Sequence, residues 1–440
     1  MNNDRIHDIS EIIDRSRVSG FQKWAIALCA LVAILDGLDT QAIAFVAPAI
    51  ASEWSMDPSS FGPIFGAGLL GLTLGALILG PLADLIGRKI VIILSTIWFG
   101  AFSLLTIYAS STGELLALRL LTGIGLGGAM PNIIALTSEY APRRVRATLI
   151  TLMFCGFPLG AVLGGLASSG LIAVFGWKSV FVLGGVLPLL LAPLLYFSLP
   201  ESIRYLVVKG GQGRKVAAIV RRIDPAGDYR DDDGWLKEVD LPGLPIRHLF
   251  SEGRAVGTLT LWVIFFSNLL IMYFLINWLP SVLRQAGLPI ERAIIATVLL
   301  NAGGIVGGLI LGRIVDRRGP GILFASYGLA ALAIAGIGLV GANVGLIMVA
   351  VFISGFFVIG TQFCMNAMAA SFYPTSMRST GVGWALGVGR IGSIIGPVIG
   401  GVLLALGWET TTLFLVVAVP AVVSALAVAT LKAKPEHRYA

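Results

Sequence analysis

Long apolar runs recur along this 440-residue chain, and its polar positions gather in the short stretches between them. A helix needs about 20 apolar residues to cross a bilayer core, and a run that is apolar all round has no face to offer to water. Twelve such runs stand out, at roughly 24–50, 60–82, 90–110, 114–136, 147–173, 178–199, 257–283, 292–312, 321–341, 343–366, 380–404 and 409–431. The loops between most of them are short. The exception is 200–256, which carries charge clusters, Pro, Gly and the run Asp231-Asp232-Asp233. The pattern predicts an all-α membrane protein with twelve transmembrane helices in two six-helix halves. Its expected parts are an N-terminal segment 1–23, a six-helix bundle 24–199, a central loop 200–256, a second bundle 257–431 and a tail 432–440.

The halves are related by one offset. Shifted by 232 positions, GALILGPLAD at 75–84 falls on GGLILGRIVD at 307–316, with six of ten residues identical. The same shift carries Asp84 onto Asp316, Arg146 onto Arg378, Gly160 onto Gly392 and Gly164 onto Gly396. Six helices return the chain to the same side, so the repeat is parallel. Parallel repeats surround an axis along the membrane normal and hold their site at the interface.

Composition and charge agree with this reading. The chain is 56% hydrophobic and only 12% charged, against about 25% charged in ordinary soluble chains; its mean hydropathy is +0.89. With the N-terminus placed in the cytoplasm, 26 of the 31 Lys and Arg fall in inside segments, as the positive-inside rule requires. Both termini are therefore expected in the cytoplasm, in the inner membrane of a cell. The net charge of +7 then belongs to loops that face anionic lipid rather than to a nucleic-acid surface. Cys29, Cys155 and Cys364 lie in apolar runs without disulfide or metal spacing. His7, His248 and His437 all fall in inside segments, so the sequence offers no intramembrane base, metal site or cofactor site, and an enzyme is not expected.

Against this background the charges inside the runs are informative. Asp36 and Asp39 stand three residues apart in the first run, on one helix face. A carboxylate at bilayer depth costs about 2.5–3.5 kcal/mol or more, so that face must look into protein or a water-filled path. Under the repeat they fall on Asn268 and Ile271, so the shared scaffold does not demand them. Arg119 begins the fourth run, about 7–8 Å inside its outer boundary at 1.5 Å per residue. The alternatives for it are a pair with Asp36 or Asp39, contact with substrate, or snorkelling to the surface. Arg390 lies near the middle of the eleventh run, too deep to snorkel. It calls for an anion, either a substrate carboxylate or an aspartate of the first helix. Asn268, Tyr273, Asn277, Trp278, Gln362 and Asn366 are candidate cavity liners, with packing as the alternative for each.

Gly80-Pro-Leu-Ala-Asp84-Leu-Ile-Gly87-Arg88-Lys89 joins the second and third runs and resembles the loop signature of the major facilitator superfamily. A degenerate copy holds Asp316, Arg317 and Arg318. Asp84, Arg88, Glu139, Asp316, Arg317 and Arg378 are candidate gating residues, with a purely structural role as the alternative. The glycines 156, 160, 164 and 165 resemble the fifth-helix pattern of antiporters, but Ala161 replaces its proline, which argues against efflux. Pro200-Glu201-Ser202 to Leu206 resembles a sequence shared by sugar porters and organic-anion families, and reads as a helix start.

DGLDTQAIAFVAPAI at 36–50 is similar to the first-helix signature of the aromatic acid:proton symporters, a branch of that superfamily; the likeness extends through the loop signature, Arg119, Glu139-Tyr140-Ala-Pro142 and Arg378 to Arg390. The resemblance implies a major facilitator fold and proton-coupled import of a small aromatic carboxylate of the hydroxybenzoate kind. It also implies functional positions at Asp36, Asp39, Asp84, Arg119, Glu139, Asp316, Arg378 and Arg390. On this reading the partners are the carboxylate, protons and lipid, and the chain works as a monomer. Another small organic acid, such as muconate or shikimate, is the alternative cargo. A sugar porter is disfavoured because a neutral sugar gives Arg390 nothing ionic to hold. A membrane sensor is disfavoured because the central loop is too short for a signalling domain.

Overall fold

The computed structural model describes residues 6–236, 246–251, 253–319, 321–340, 343–373 and 377–430, without the side chains of 147, 316, 370, 378 and 379. In chain order the helices are α1 (Ile9–Arg15), α2 (Gly20–Glu53), α3 (Phe61–Ile86), α4 (Arg88–Leu105), α5 (Thr112–Tyr140), α6 (Arg146–Phe154), α7 (Gly156–Phe175), α8 (Lys178–Ser198), α9 (Ile203–Lys209), α10 (Gly213–Ile223), α11 (Ala255–Gln285), α12 (Ile290–Arg318), α13 (Ile322–Leu339), α14 (Val344–Phe372), α15 (Arg378–Ala405) and α16 (Thr410–Thr430). Among the described residues twelve spans are long and apolar enough to cross a membrane, as the pattern predicts. The fifth, expected as one run, divides into α6 and α7 at Cys155. There the backbone stays in the right-handed helical region and Cys155 N–H still donates to Thr151 O at 2.9 Å.

Starts and stops follow local chemistry. Ser111, Ser202 and Asn343 cap α5, α9 and α14 by accepting a backbone N–H three residues on, which satisfies donors that a helix start leaves open. Gly87 separates α3 from α4 at φ +103°, a conformation that side chains resist.

Small residues set the closest helix crossings, and the crossings repeat with the sequence offset. A Cβ on Gly160 would fall 1.8 Å from Ile34 O, and one on Gly392 2.2 Å from Phe266 O. Gly71 and Gly75 lie equally close to Leu120 O and Ile124 O, and Gly303 and Gly307 to Phe352 O and Phe356 O. Each position in the second half is 232 beyond its counterpart. The duplication is thus written into backbone approach as well as into residue identity.

The chain divides into two compact units. One spans Met1–Thr40, Leu70–Gly160 and Phe181–Asp240; the other spans Gln41–Leu69, Ala161–Val180 and Leu241–Ala440. The first unit holds an extra layer that apolar run length does not disclose. β1 (Ile6–His7) pairs in parallel with β2 (Gly234–Trp235), and His7 Nε2 lies 3.0 Å from Asp233 Oδ2. α1, capped by Asp8, buries Ile12 and Ile13 in the cluster that takes Val216, Val220 and Ile223 of the amphipathic α10. Arg15 and Asp224 both hydrogen-bond to the Tyr229 hydroxyl, at 2.9 and 2.7 Å.

Candidate functional site

In the first unit α2 buries Asp36 and Asp39, each 1% exposed, and brings Asp39 into contact with α4, α5 and α8. Asp39 Oδ2 lies 3.5 Å from Arg119 Nη1 of α5, and Asp39 Oδ1 accepts from the Ser103 hydroxyl of α4. Gly184 of α8 leaves the space beside Oδ1, since a Cβ there would sit 3.2 Å away. Arg119 is held on several sides. Its Nη2 donates to Thr106 Oγ1 at 2.7 Å and Thr122 Oγ1 at 3.1 Å, and its guanidinium stacks over the Phe181 ring at 4.7 Å. At 3% exposure it does not snorkel, and it pairs with Asp39 rather than Asp36. Among the described residues Asp39 Oδ2 accepts no hydrogen bond of good geometry, and its partner is the Arg119 guanidinium. Asp36 Oδ1 accepts from Thr40 Oγ1 at 3.0 Å, one turn along α2.

The loop signature forms an ion-pair relay. Arg88 pairs with Glu139 of α5 at 2.9 Å and, more loosely, with Asp84 at 3.8 Å. Glu139 also accepts from Ser202 Oγ at 2.6 Å. Sequence reasoning passed over Glu201. Its carboxylate accepts the backbone N–H of Lys89 at 3.0 Å, and Tyr140 Oη donates to its carbonyl at 2.7 Å. Glu201 therefore places negative charge at the start of α4, where open N–H groups and the helix dipole favour it. The acidic residue directly after Pro200 was the available signal. In the second half Arg317 is exposed on α12; the side chains of Asp316 and Arg378 lie outside the described residues.

In the second unit the candidate liners separate. Asn268 Nδ2 donates to Gln362 Oε1 at 2.6 Å, and Gln362 Nε2 donates to Asn366 Oδ1 at 3.1 Å, a chain of amides linking α11 to α14. Asn277 instead donates back to Tyr273 O at 2.7 Å, and Trp278 Nε1 to Pro397 O of α15 at 2.8 Å. Tyr273 packs with Leu69 and Leu269. These three have packing and helix-bonding roles here. Arg390 lies on α15 beside Gly389, whose Cβ position meets Leu269 and Phe265 of α11, one turn from Asn268. Only part of its surface is exposed. Among the described residues its guanidinium has no ion pair or hydrogen bond.

Comparison with known proteins places this geometry. A family model described as Major Facilitator Superfamily matches residues 29–385 and 322–439. A gallate transporter of Pseudomonas putida is 42% identical over 426 residues, covering 96% of this chain and 94% of that protein. A 4-hydroxybenzoate transporter, PcaK, of Pseudomonas aeruginosa is 41% identical over 426 residues, covering 96% and 95%. Among solved structures, the inward open conformation of the xylose transporter XylE from E. coli superposes with a TM-score of 0.73 at 16% identity, covering 94% of this chain and 97% of that one. That likeness concerns the fold alone.

Proposed function

Because the chain belongs to the Major Facilitator Superfamily and to its aromatic-acid branch, we propose that it imports a small hydroxybenzoate-like carboxylate with protons across the inner membrane by alternating access. The protein works as a monomer, with both termini in the cytoplasm. The observation that carries this is Arg390, a cation in the middle of a spanning helix with no protein partner among the described residues. A half-buried guanidinium favours a carboxylate that it can hold with two parallel charge-assisted hydrogen bonds. The amide chain of Asn268, Gln362 and Asn366 in the same unit offers neutral polar atoms to the cargo.

Asp36 and Asp39 supply the proton side. The Asp39 oxygen that accepts no hydrogen bond of good geometry is where the proton attaches. Its arrival removes the negative charge facing Arg119 and leaves that cation among hydroxyls and the Phe181 ring. The carboxylate carries the charge that offsets the proton, so the two are moved together. The Arg88–Glu139 pair with Asp84 gates the cytoplasmic side in the first half, and Asp316, which repeats Asp84, acts with Arg317 and Arg378 in the second.

Uptake of labelled 4-hydroxybenzoate into proteoliposomes, with and without an inward proton gradient, tests the reading. Gradient-driven accumulation is expected, and it should vanish in Asp36→Asn and Asp39→Asn. Full gradient-driven activity in both variants would refute the proton role. Arg390→Leu should lower affinity by about a hundredfold, as loss of a charge-assisted bidentate contact does, while leaving the unfolding equilibrium unchanged because no protein partner is lost. Accumulation of muconate or shikimate with no aromatic acid transported would replace the proposed cargo.

A further inference from the structure

Gln41 of α2 and Asn301 of α12 face each other with both side chains buried, at 0% and 1% exposure. They exchange two hydrogen bonds. Gln41 Nε2 donates to Asn301 Oδ1 at 3.1 Å, and Asn301 Nδ2 donates to Gln41 Oε1 at 2.9 Å. The second Asn301 N–H donates to Thr297 O at 2.9 Å, which fixes the orientation of that amide. Both residues belong to the second compact unit, yet they come from opposite halves of the duplication, 260 residues apart.

Their surroundings are apolar and closely packed. A Cβ on Gly165 would fall 2.5 Å from Val298 and 3.3 Å from Phe45, and one on Gly66 2.7 Å from Val398. Gly62 and Gly401 meet backbone to backbone, and Phe65 packs edge-on against Trp278 at 5.2 Å. Alternating access requires these first-half helix ends to part from α11, α12 and α15 whenever the site opens on their side. The amide pair lies in the seam that parts. We propose that Gln41 and Asn301 form a charge-neutral latch on this gate, and that its breaking accompanies each opening on that face.

The chemistry of paired amides suits the task. Closed, each amide satisfies the other in a dry seam. Open, water satisfies both, so the net change on opening is small. A half-latch behaves differently: one remaining amide is unpaired when closed and hydrated when open, which favours opening. A latch with no amides gains nothing from water, and its apolar surfaces resist separation. The pair carries no charge, so it holds with equal strength whichever protonation state Asp36 and Asp39 adopt. The proposal rests on the alternating-access reading and not on the identity of the cargo.

The test uses full-length protein in nanodiscs, with the three native cysteines replaced by alanine and Val298→Cys as a reporter buried in the seam at 6% exposure. Reaction of Cys at 298 with a soluble maleimide reads opening without any substrate. Gln41→Met and Asn301→Leu should each speed labelling by about tenfold, the effect of one unsatisfied buried amide. The double variant should label more slowly than the parent chain. This reversal of sign distinguishes a latch from general loosening. Single variants that label at the parent rate, or a double variant at least as fast as either single, would overturn the proposal. Where a single variant does not yield monodisperse protein, the double variant decides: slower labelling than the parent supports the latch, and equal or faster labelling overturns it. Absence of aromatic-acid uptake by the parent chain, with the labelling rates of the variants as expected above, would count against the cargo reading and leave the latch standing.

Discussion

Asp39→Asn isolates the energetics of the first-half charge pair. In the native protein the two side chains are 0% and 3% exposed and lie 3.5 Å apart. Arginine keeps its charge in essentially any protein environment, so the substitution leaves Arg119 as a buried cation without its counter-ion. Removing one partner of a buried pair costs about 3–5 kcal/mol. Three neighbours moderate the loss: the Thr106 and Thr122 hydroxyls accept from Nη2, and the Phe181 ring offers its negative face. The low end is therefore expected, about 3 kcal/mol, which is roughly two decades in the unfolding equilibrium. Equilibrium unfolding in mixed micelles, followed by fluorescence of the nine tryptophans, measures it. Asp39→Asn/Arg119→Met removes both charges and should recover most of the loss. A cost below about 1 kcal/mol for Asp39→Asn, or a double variant as unstable as the sum of the singles, would show that the pair is not energetically coupled.

Two further outcomes follow from the packing. Gly160→Ala and Gly392→Ala would place a methyl group 1.8 and 2.2 Å from the carbonyls of Ile34 and Phe266; each should cost about 3 kcal/mol as the helices are forced apart, whereas Gly170→Ala, with open space at its Cβ position, should be near neutral in the same assay. Gly87→Ala combines a φ of +103° with a Cβ 2.3 Å from Glu201 Oε2 and should cost about 1–3 kcal/mol, while Glu201→Gln keeps an acceptor for Lys89 N–H and should cost less.

Twelve spans were legible because a run of some twenty apolar residues has few fates other than a bilayer. The repeat was legible because helix crossings need the same small residues in both halves, and those crossings recur at 160 and 392 and at 71 and 303. Asp36, Asp39, Arg119 and Arg390 stood out because charge is rare in such runs. The pairing of Arg119 with Asp39 in particular was not fixed by sequence, since it depends on how far α2 and α5 slide along each other. Gln41 and Asn301 drew no notice because a lone neutral amide in an apolar helix is unexceptional until its partner is located. The α1–α10 layer was hidden for another reason. Its apolar positions are few and spaced at helical period within charged sequence, which run length does not register.

The pairing of β1 with β2 bears on the order in which the protein completes itself during synthesis. Ile6 and His7 leave the ribosome ahead of the six helices of the first half, but Asp233, Gly234 and Trp235 follow 226 or more residues later. At about 5–20 residues per second the leading strand waits roughly 10 to 45 s, while six helices are threaded into the bilayer. Until then His7 has no Asp233 and Ile12 has no α10 to cover it. The leading segment therefore closes the first half only after its last helix has emerged, as a clasp fastened at the end of assembly.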